Sequence, residues 1–402
     1  MFPADRYQAF LLDLDGVLYR GQDPVPGAPE TLAALREMGK RLVFLTNNSW
    51  RTPAQVAEKL QALGIPAEPH EVVTSGQATA GVLAREAGSG RTAYVLGGDG
   101  VRSPLADAGI EPVDGKPERV DYVVVGWDGD LTYERLRMAT VLVGRGARLV
   151  ATNDDASYPA PGGELWPGAG AILAAVETGA GRQASVIGKP HRPVFDLAIE
   201  RTGSREALVV GDRLETDIEG AVAAGLDSAL VLTGASTPAD LLDVDAVPTA
   251  ILGDLRDLVT DRPWAAPRPA GEEDLDAVWA LAGRPEGIPG WGPEGVWVTT
   301  DGALLATATA EVQGGDAYLR AVATREDVRG LHLGTHVVAA AVRNAAGRGA
   351  TRCWLLTEAA EGYFDRLGFE RCERSDLPSW IVTGPAETCP ASAVAMRRDM
   401  VR

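Results

Sequence analysis

The chain has 402 residues, more than one hydrophobic core comfortably organises, so two or three domains are expected. Its 45% hydrophobic content is ordinary for a globular protein, and no apolar run reaches the roughly 18 residues of a membrane-spanning helix, so no membrane partner is expected. A formal net charge of −18 argues against a nucleic-acid partner, because a phosphate backbone needs a basic face.

Acidity does not exclude a small phosphorylated metabolite, since one cation and one lysine can reverse the local potential. The first residues, Met1 to Arg6, lack the basic start and apolar stretch of a signal peptide, which predicts a cytoplasmic location. Cys353, Cys372 and Cys389 are odd in number and lack metal-ligand spacing, so they read as reduced thiols, with no zinc pattern. The basic residues are mostly arginine. Lys40, Lys59, Lys116 and Lys189 are the only lysines, so each carries more information than usual.

Phe10-Leu11-Leu12 reads as a short buried strand running into acidic residues, and Pro29 to Met38 as a helix with Leu32 and Leu35 on one face. Leu42 to Leu45 is a second apolar strand ending in Thr46-Asn47-Asn48, followed by a helix from Pro53 to Leu63 that stops at Gly64. This alternation predicts a parallel sheet covered on both faces. A glycine-rich middle carries its own strands at Ala93 to Leu96, Tyr122 to Val125 and Leu149 to Ala151, and is long enough to be an insertion. The alternation then resumes with strand Ser185 to Ile187, helix Pro193 to Glu200, strand Ala207 to Val210, helix Asp217 to Ala224 and strand Ser228 to Leu232. Three prolines between Asp261 and Pro269 favour a stiff linker. Beyond it lie an acidic helix (Glu272 to Leu281), several strands and a long alanine-rich helix (His332 to Ala346). The expected division is a core of residues 1–78 and 183–260, an insertion of 79–182, a linker of 261–269 and a last domain of 270–402.

Four strand ends carry residues suited to phosphoryl transfer. Asp13-Leu14-Asp15-Gly16 follows the first strand, and period-two alternation lets both carboxylates face one site at the sheet's C-terminal edge, where open α/β sheets bind ligands. An acidic turn is the competing reading of the tetrapeptide alone. Thr46-Asn47-Asn48 offers a hydroxyl, amides and backbone N–H groups to phosphate oxygens. Gly188-Lys189-Pro190 places a lysine that can neutralise both phosphate and nucleophile, and Gly211-Asp212-Arg213-Leu214-Glu215-Thr216-Asp217 offers carboxylates to a hard cation. Gly115-Lys116-Pro117 repeats the lysine triplet but precedes a strand inside the insertion, so Lys116 reads as surface charge.

These four motifs, in this order over roughly residues 8 to 260, resemble those of the haloacid dehalogenase superfamily. More narrowly, they are similar to its branch of p-nitrophenylphosphatases, phosphoglycolate phosphatases and glycerol-3-phosphate phosphatases. The resemblance implies an α/β fold, a Rossmann-like parallel-sheet core with an inserted α/β cap domain, and a Mg²⁺-dependent phosphatase. Asp13 is then the nucleophile and Asp15 the proton donor and acceptor, with Lys189 the catalytic cation. Asp13, Asp212 and the backbone carbonyl of Asp15 are the implied metal ligands, and Asp217 orients Lys189 or a metal-bound water from outside that shell. Gly16, Thr46, Asn47, Asn48 and Lys189 bind the phosphate. The cap segment Thr152-Asn153-Asp154-Asp155 makes Asn153 and Asp155 candidate substrate contacts, with Tyr158, Trp166 and Gly168 weaker ones. Glycerol 3-phosphate is the first expected substrate and phosphoglycolate the second. Related capped phosphatases often dimerise through their caps, which leaves a homodimer open.

The segment from about Arg268 onward resembles the GNAT acetyltransferases, implying a C-terminal α+β domain. Tyr318 to Ala323 reads as the central strand, and Arg329-Gly330-Leu331-His332-Leu333-Gly334 as the loop that presents N–H groups to a coenzyme A pyrophosphate. Arg329, Gly330 and Gly334 match that loop, but His332 stands where the family has glycine. A β-carbon there hinders close approach, so weak or absent acetyl-CoA binding and a structural or regulatory domain are expected. Tyr363 reads as a core aromatic, with a general-acid role as the alternative, and His332 and His336 as a solvated helix face. A bifunctional enzyme with acetyl-CoA-dependent N-acetyltransferase activity, or a phosphotransferase, are the competing functions.

Overall fold

The computed structural model describes residues 2–87, 90–159, 164–283, 292–386 and 389–400. Its contacts group into two compact units, one of Ala4–Ser228 and one gathering the residues from Ala229 on. In the first, the continuous apolar runs form parallel strands in the order Ala207–Gly211, Ala9–Leu12, Arg41–Thr46 and Val72–Thr74. Phe10, Leu11, Leu12 and Phe44 are fully buried, as strands covered on both faces require. Helix Ala28–Glu37 buries Leu32 and Leu35, and helix Pro53–Ala62 begins with a Thr52–Gln55 capping box.

The insertion builds a second parallel sheet, ordered Ser185–Val186, Arg148–Ala151, Tyr122–Val125, Arg91–Leu96 and Ile110–Val113. This corrects the reading of Ser185 to Ile187 as the return of the core sheet. Ser185 pairs with Val150 of the insertion, and the next helix, Arg192–Thr202, packs in the core. A strand of two residues offers no pattern from which its sheet can be read. Helices Tyr133–Gly144 and Ala169–Ala180 cover the inserted sheet, and a hairpin pairs Ser157–Pro159 with Leu165–Pro167.

In the second unit, Ala229 to Val231 pair in parallel with Ala250–Leu252. A seven-stranded sheet follows, mostly antiparallel, in which Asp316–Thr324 lies parallel to Arg352–Thr357 for three residues only. Beyond Tyr318 and Trp354 their pairing ends. A groove of about 1810 Å³ is lined in part by Val322, Arg325, Gly330 and Tyr363. The proline-rich segment is not a free spacer: Arg262 and Trp264 are buried, and Arg262 reaches both Asp257 and the Leu331 carbonyl. His336 is also buried, at 1% exposure, with Nε2 2.9 Å from the Pro248 carbonyl. The expected solvated face is therefore an internal one. Helical spacing alone does not say which face the preceding segment covers.

Candidate active site

The strand Ala9–Leu12 delivers Asp13, whose N–H donates to the Val210 carbonyl of the neighbouring strand at 2.9 Å. The Lys189 ammonium lies 2.5 Å from Asp13 Oδ1 and 2.6 Å from Asp217 Oδ1. Lys189 is 3% exposed, so this charge stands in a low-dielectric setting. Burial by itself would depress its pKa, but the carboxylates of Asp13 and Asp217 outweigh burial and raise it. Lys189 is therefore a fixed cation. Burial pushes the Asp13 carboxyl well above the ordinary carboxylate range, against the opposing pull of Lys189.

Carboxylate oxygens of Asp13, Asp212 and Asp217 lie within 4.8 Å of one another. An all-oxygen set of this charge suits a hard divalent cation. Asp217 is brought back to the strand end by a π-helical turn, Leu214–Ile218, and the α-helix expected from Asp217 to Ala224 runs on from it as Glu219–Ala224. Its Oδ2 accepts from the Arg213 N–H at 3.2 Å while Oδ1 holds Lys189, so both oxygens are engaged.

Asn47 holds the lysine in place. Its Nδ2 donates to the Lys189 carbonyl at 3.0 Å and its Oδ1 accepts from the Lys189 N–H at 2.8 Å. Gly188 makes this approach feasible, since a β-carbon there would lie 2.6 Å from Asn47 Oδ1 and 2.4 Å from the Thr152 carbonyl. The Asn47 carbonyl in turn accepts from Ser75 Oγ at 2.7 Å and Asn153 Nδ2 at 2.8 Å. The Asn153 Oδ1 accepts from the Asp155 N–H, and the residue is 4% exposed. Both ends of the Asn153 amide thus meet neighbouring backbone in this structure. The Asn47 side chain is likewise engaged by Lys189.

Asp155 is half-buried, with Asn47 Nδ2 3.3 Å from Oδ2, and burial raises its pKa despite the nearby Lys189. Asp15 opens to solvent on one side, and the protein packed on the other raises its carboxyl too. Thr46 is buried at its strand end, where Oγ1 accepts from the Asn48 N–H. Gly16 is buried behind Asp15, and Asn48 is exposed, its Oδ1 accepting from the Trp50 N–H. Tyr158 and Trp166 extend an edge-to-face chain that runs through Trp127 to Trp50. Sequence reasoning missed Ser75 and Thr152, whose hydroxyls support the Asn47 loop, and it left Lys59 without a role even though the scarcity of lysines singled it out.

In the second unit, Arg329, Gly330 and Gly334 line the groove. His332 caps the helix Leu333–Gly347 at φ 59°, a left-handed conformation natural to glycine and uncommon for histidine. Tyr363 also faces the groove, and burial raises its phenol to about 12.

The family model for haloacid dehalogenase-like hydrolases matches residues 10–111, and a second model of HAD-hydrolase-like proteins matches 186–258. The model for the acetyltransferase (GNAT) family matches 256–369. An acid sugar phosphatase of Staphylococcus haemolyticus is 39% identical over 257 residues, which cover 63% of this chain and 96% of the relative. A glycerol phosphate phosphatase from Mycobacterium tuberculosis, solved in complex with magnesium, is 31% identical with a TM-score of 0.72, covering 92% of this chain and 98% of that one. A 4-nitrophenylphosphatase from Thermotoga maritima is 36% identical with a TM-score of 0.60, covering 64% and 98%.

Proposed function

The chain belongs to the haloacid dehalogenase-like hydrolases and is a phosphatase, and from that premise we propose that it hydrolyses a small phosphate monoester through an aspartyl-phosphate on Asp13. The observation that carries this reading is the Lys189 ammonium shared by Asp13 and Asp217, with Asp212 in the same carboxylate cluster.

An Asp13 oxygen bonds to phosphorus as the ester P–O bond breaks. The electron pair stays on the departing oxygen, which takes a proton from Asp15. The resulting Asp15 carboxylate then takes a proton from the water that attacks the aspartyl-phosphate, releasing inorganic phosphate and restoring Asp13. Lys189 holds charge on the phosphoryl oxygens, and the Thr46 hydroxyl with the Asn47–Asn48 loop orients them. Asp13, Asp212 and the Asp15 carbonyl would hold Mg²⁺, which supplies neutralising charge at the transferring group.

The insertion, residues 79–182 together with the Ser185–Val186 strand of its sheet, acts as the cap that chooses the substrate, and Asp155 meets the leaving group. Glycerol 3-phosphate is the favoured substrate, supported by the likeness to a glycerol phosphate phosphatase along nearly the whole chain; phosphoglycolate is second. A panel of phosphate esters with Mg²⁺ tests this. The highest kcat/KM on glycerol 3-phosphate is expected, and a preference for aldose phosphates would replace it.

The domain after the linker serves structure or regulation. His332 in the coenzyme loop supports this, as do the bonds from Arg262 and His336 that tie the loop and its helix to the segment before the linker. Titration calorimetry with acetyl-CoA checks it: micromolar binding would restore the bifunctional alternative.

A further inference from the structure

Lys59 stands in the last turn of helix Pro53–Ala62, half-buried, and no step above uses it. Its Nζ lies 3.5 Å from the centroid of the Tyr19 ring, within cation–π range. Tyr19 is 5% exposed and closes the turn that carries Asp15. The Gly16 N–H donates to the Tyr19 carbonyl at 2.8 Å, the Leu18 N–H returns to the Leu14 carbonyl at 2.8 Å, and Asp15 bridges Tyr19 along the backbone. Among the described residues Lys59 makes no ion pair within 4.0 Å, so its ammonium is not committed to a competing carboxylate.

We propose that Lys59 is a positioning residue for proton transfer: seated on the Tyr19 ring, it fixes the turn from Leu14 to Tyr19 and so aims Asp15 at the departing oxygen. The inference rests on the reading of Asp15 as proton donor. An alkoxide cannot leave without that proton, whereas 4-nitrophenolate can, because its ring delocalises the charge. A mispositioned Asp15 therefore slows alkyl esters and spares the nitrophenyl ester. A merely structural defect slows both.

The test is the first-turnover rate of leaving-group release, with an alkyl phosphate substrate and with 4-nitrophenyl phosphate, for Lys59→Met, Lys59→Arg and Asp15→Asn. Lys59→Met keeps the stem and loses the charge. It is expected to lose about tenfold or more on the alkyl ester and little on the nitrophenyl ester, with KM nearly unchanged. Lys59→Arg keeps a cation over the ring and should recover most of the alkyl rate, which separates charge placement from folding. Equal losses on both esters, or no loss on either, would overturn the role of Lys59 provided Asp15→Asn still discriminates between them. If Asp15→Asn itself fails to discriminate, the proton-donor reading falls and takes this inference with it.

Discussion

Asn47 grips Lys189 by both polar groups of its backbone, donating to the carbonyl at 3.0 Å and accepting from the N–H at 2.8 Å. The ammonium that meets Asp13 is thus aimed by a residue on a different strand end. Asn47→Asp replaces the donor with an oxygen facing the Lys189 carbonyl. The expected result is a fall in kcat of about 10–100-fold, as for other partners that orient a reactive group. Steady-state kinetics on the best ester checks it, with circular dichroism to confirm the fold.

Lys189 is buried between two carboxylates, so neither removal nor exchange should be tolerated. Lys189→Met leaves Asp13 and Asp217 facing each other without a cation and should cost about 3–5 kcal/mol of stability together with turnover. Lys189→Arg keeps the charge but spreads it over a planar fork too large for a point contact. It is expected to restore part of the stability and little of the activity. Urea titration alongside the phosphatase assay separates the two effects.

Metal removal should act at the Asp13, Asp212 and Asp217 cluster. Chelation is expected to abolish turnover, and Mg²⁺ to restore it and raise the melting temperature. In Asp212→Asn that rise should disappear, because the formal charge is lost and a neutral amide oxygen stands where a carboxylate held the ion. An undiminished rise would place the ion elsewhere.

Much of this site is legible along the chain because each residue follows an apolar strand, and strand ends in an open α/β sheet converge on one edge. Asp13 and Asp212 are visible for that reason, whereas Lys189 follows a strand of the inserted sheet and shows through its Gly188-Lys189-Pro190 motif and the scarcity of lysines. Roles that depend on which atoms meet are not. Asn47 and Asn153 have the donors and acceptors of substrate contacts, and only the packing shows those groups spent on Lys189, Asp155 and backbone. The Ser185–Val186 strand is too short for periodicity to assign to a sheet. His336 sits at a spacing that fits a solvated face equally well, until the segment around Pro248 covers it.

That burial gives the second unit an acid sensitivity. His336 is pulled from an ordinary 6.5 down to about 3, chiefly by burial. Between those values the unfolded chain binds the proton and the folded chain does not. The His336 contribution to stability is therefore intact above about 6.5 and is lost as pH falls toward 3, at about 1.4 kcal/mol per pH unit. His336→Gln, which does not titrate there, should show a shallower decline. Melting curves across that range, compared between the two proteins, provide the check.

Asp13 as covalent nucleophile is the centre of the account, and acid quenching in the first turnover tests it most directly. With a radiolabelled phosphate ester and Mg²⁺, the label is expected on the peptide containing Asp13, and Asp13→Asn should show neither label nor turnover while keeping its fold. Turnover near the original rate in Asp13→Asn, or label on a peptide without Asp13, would contradict it.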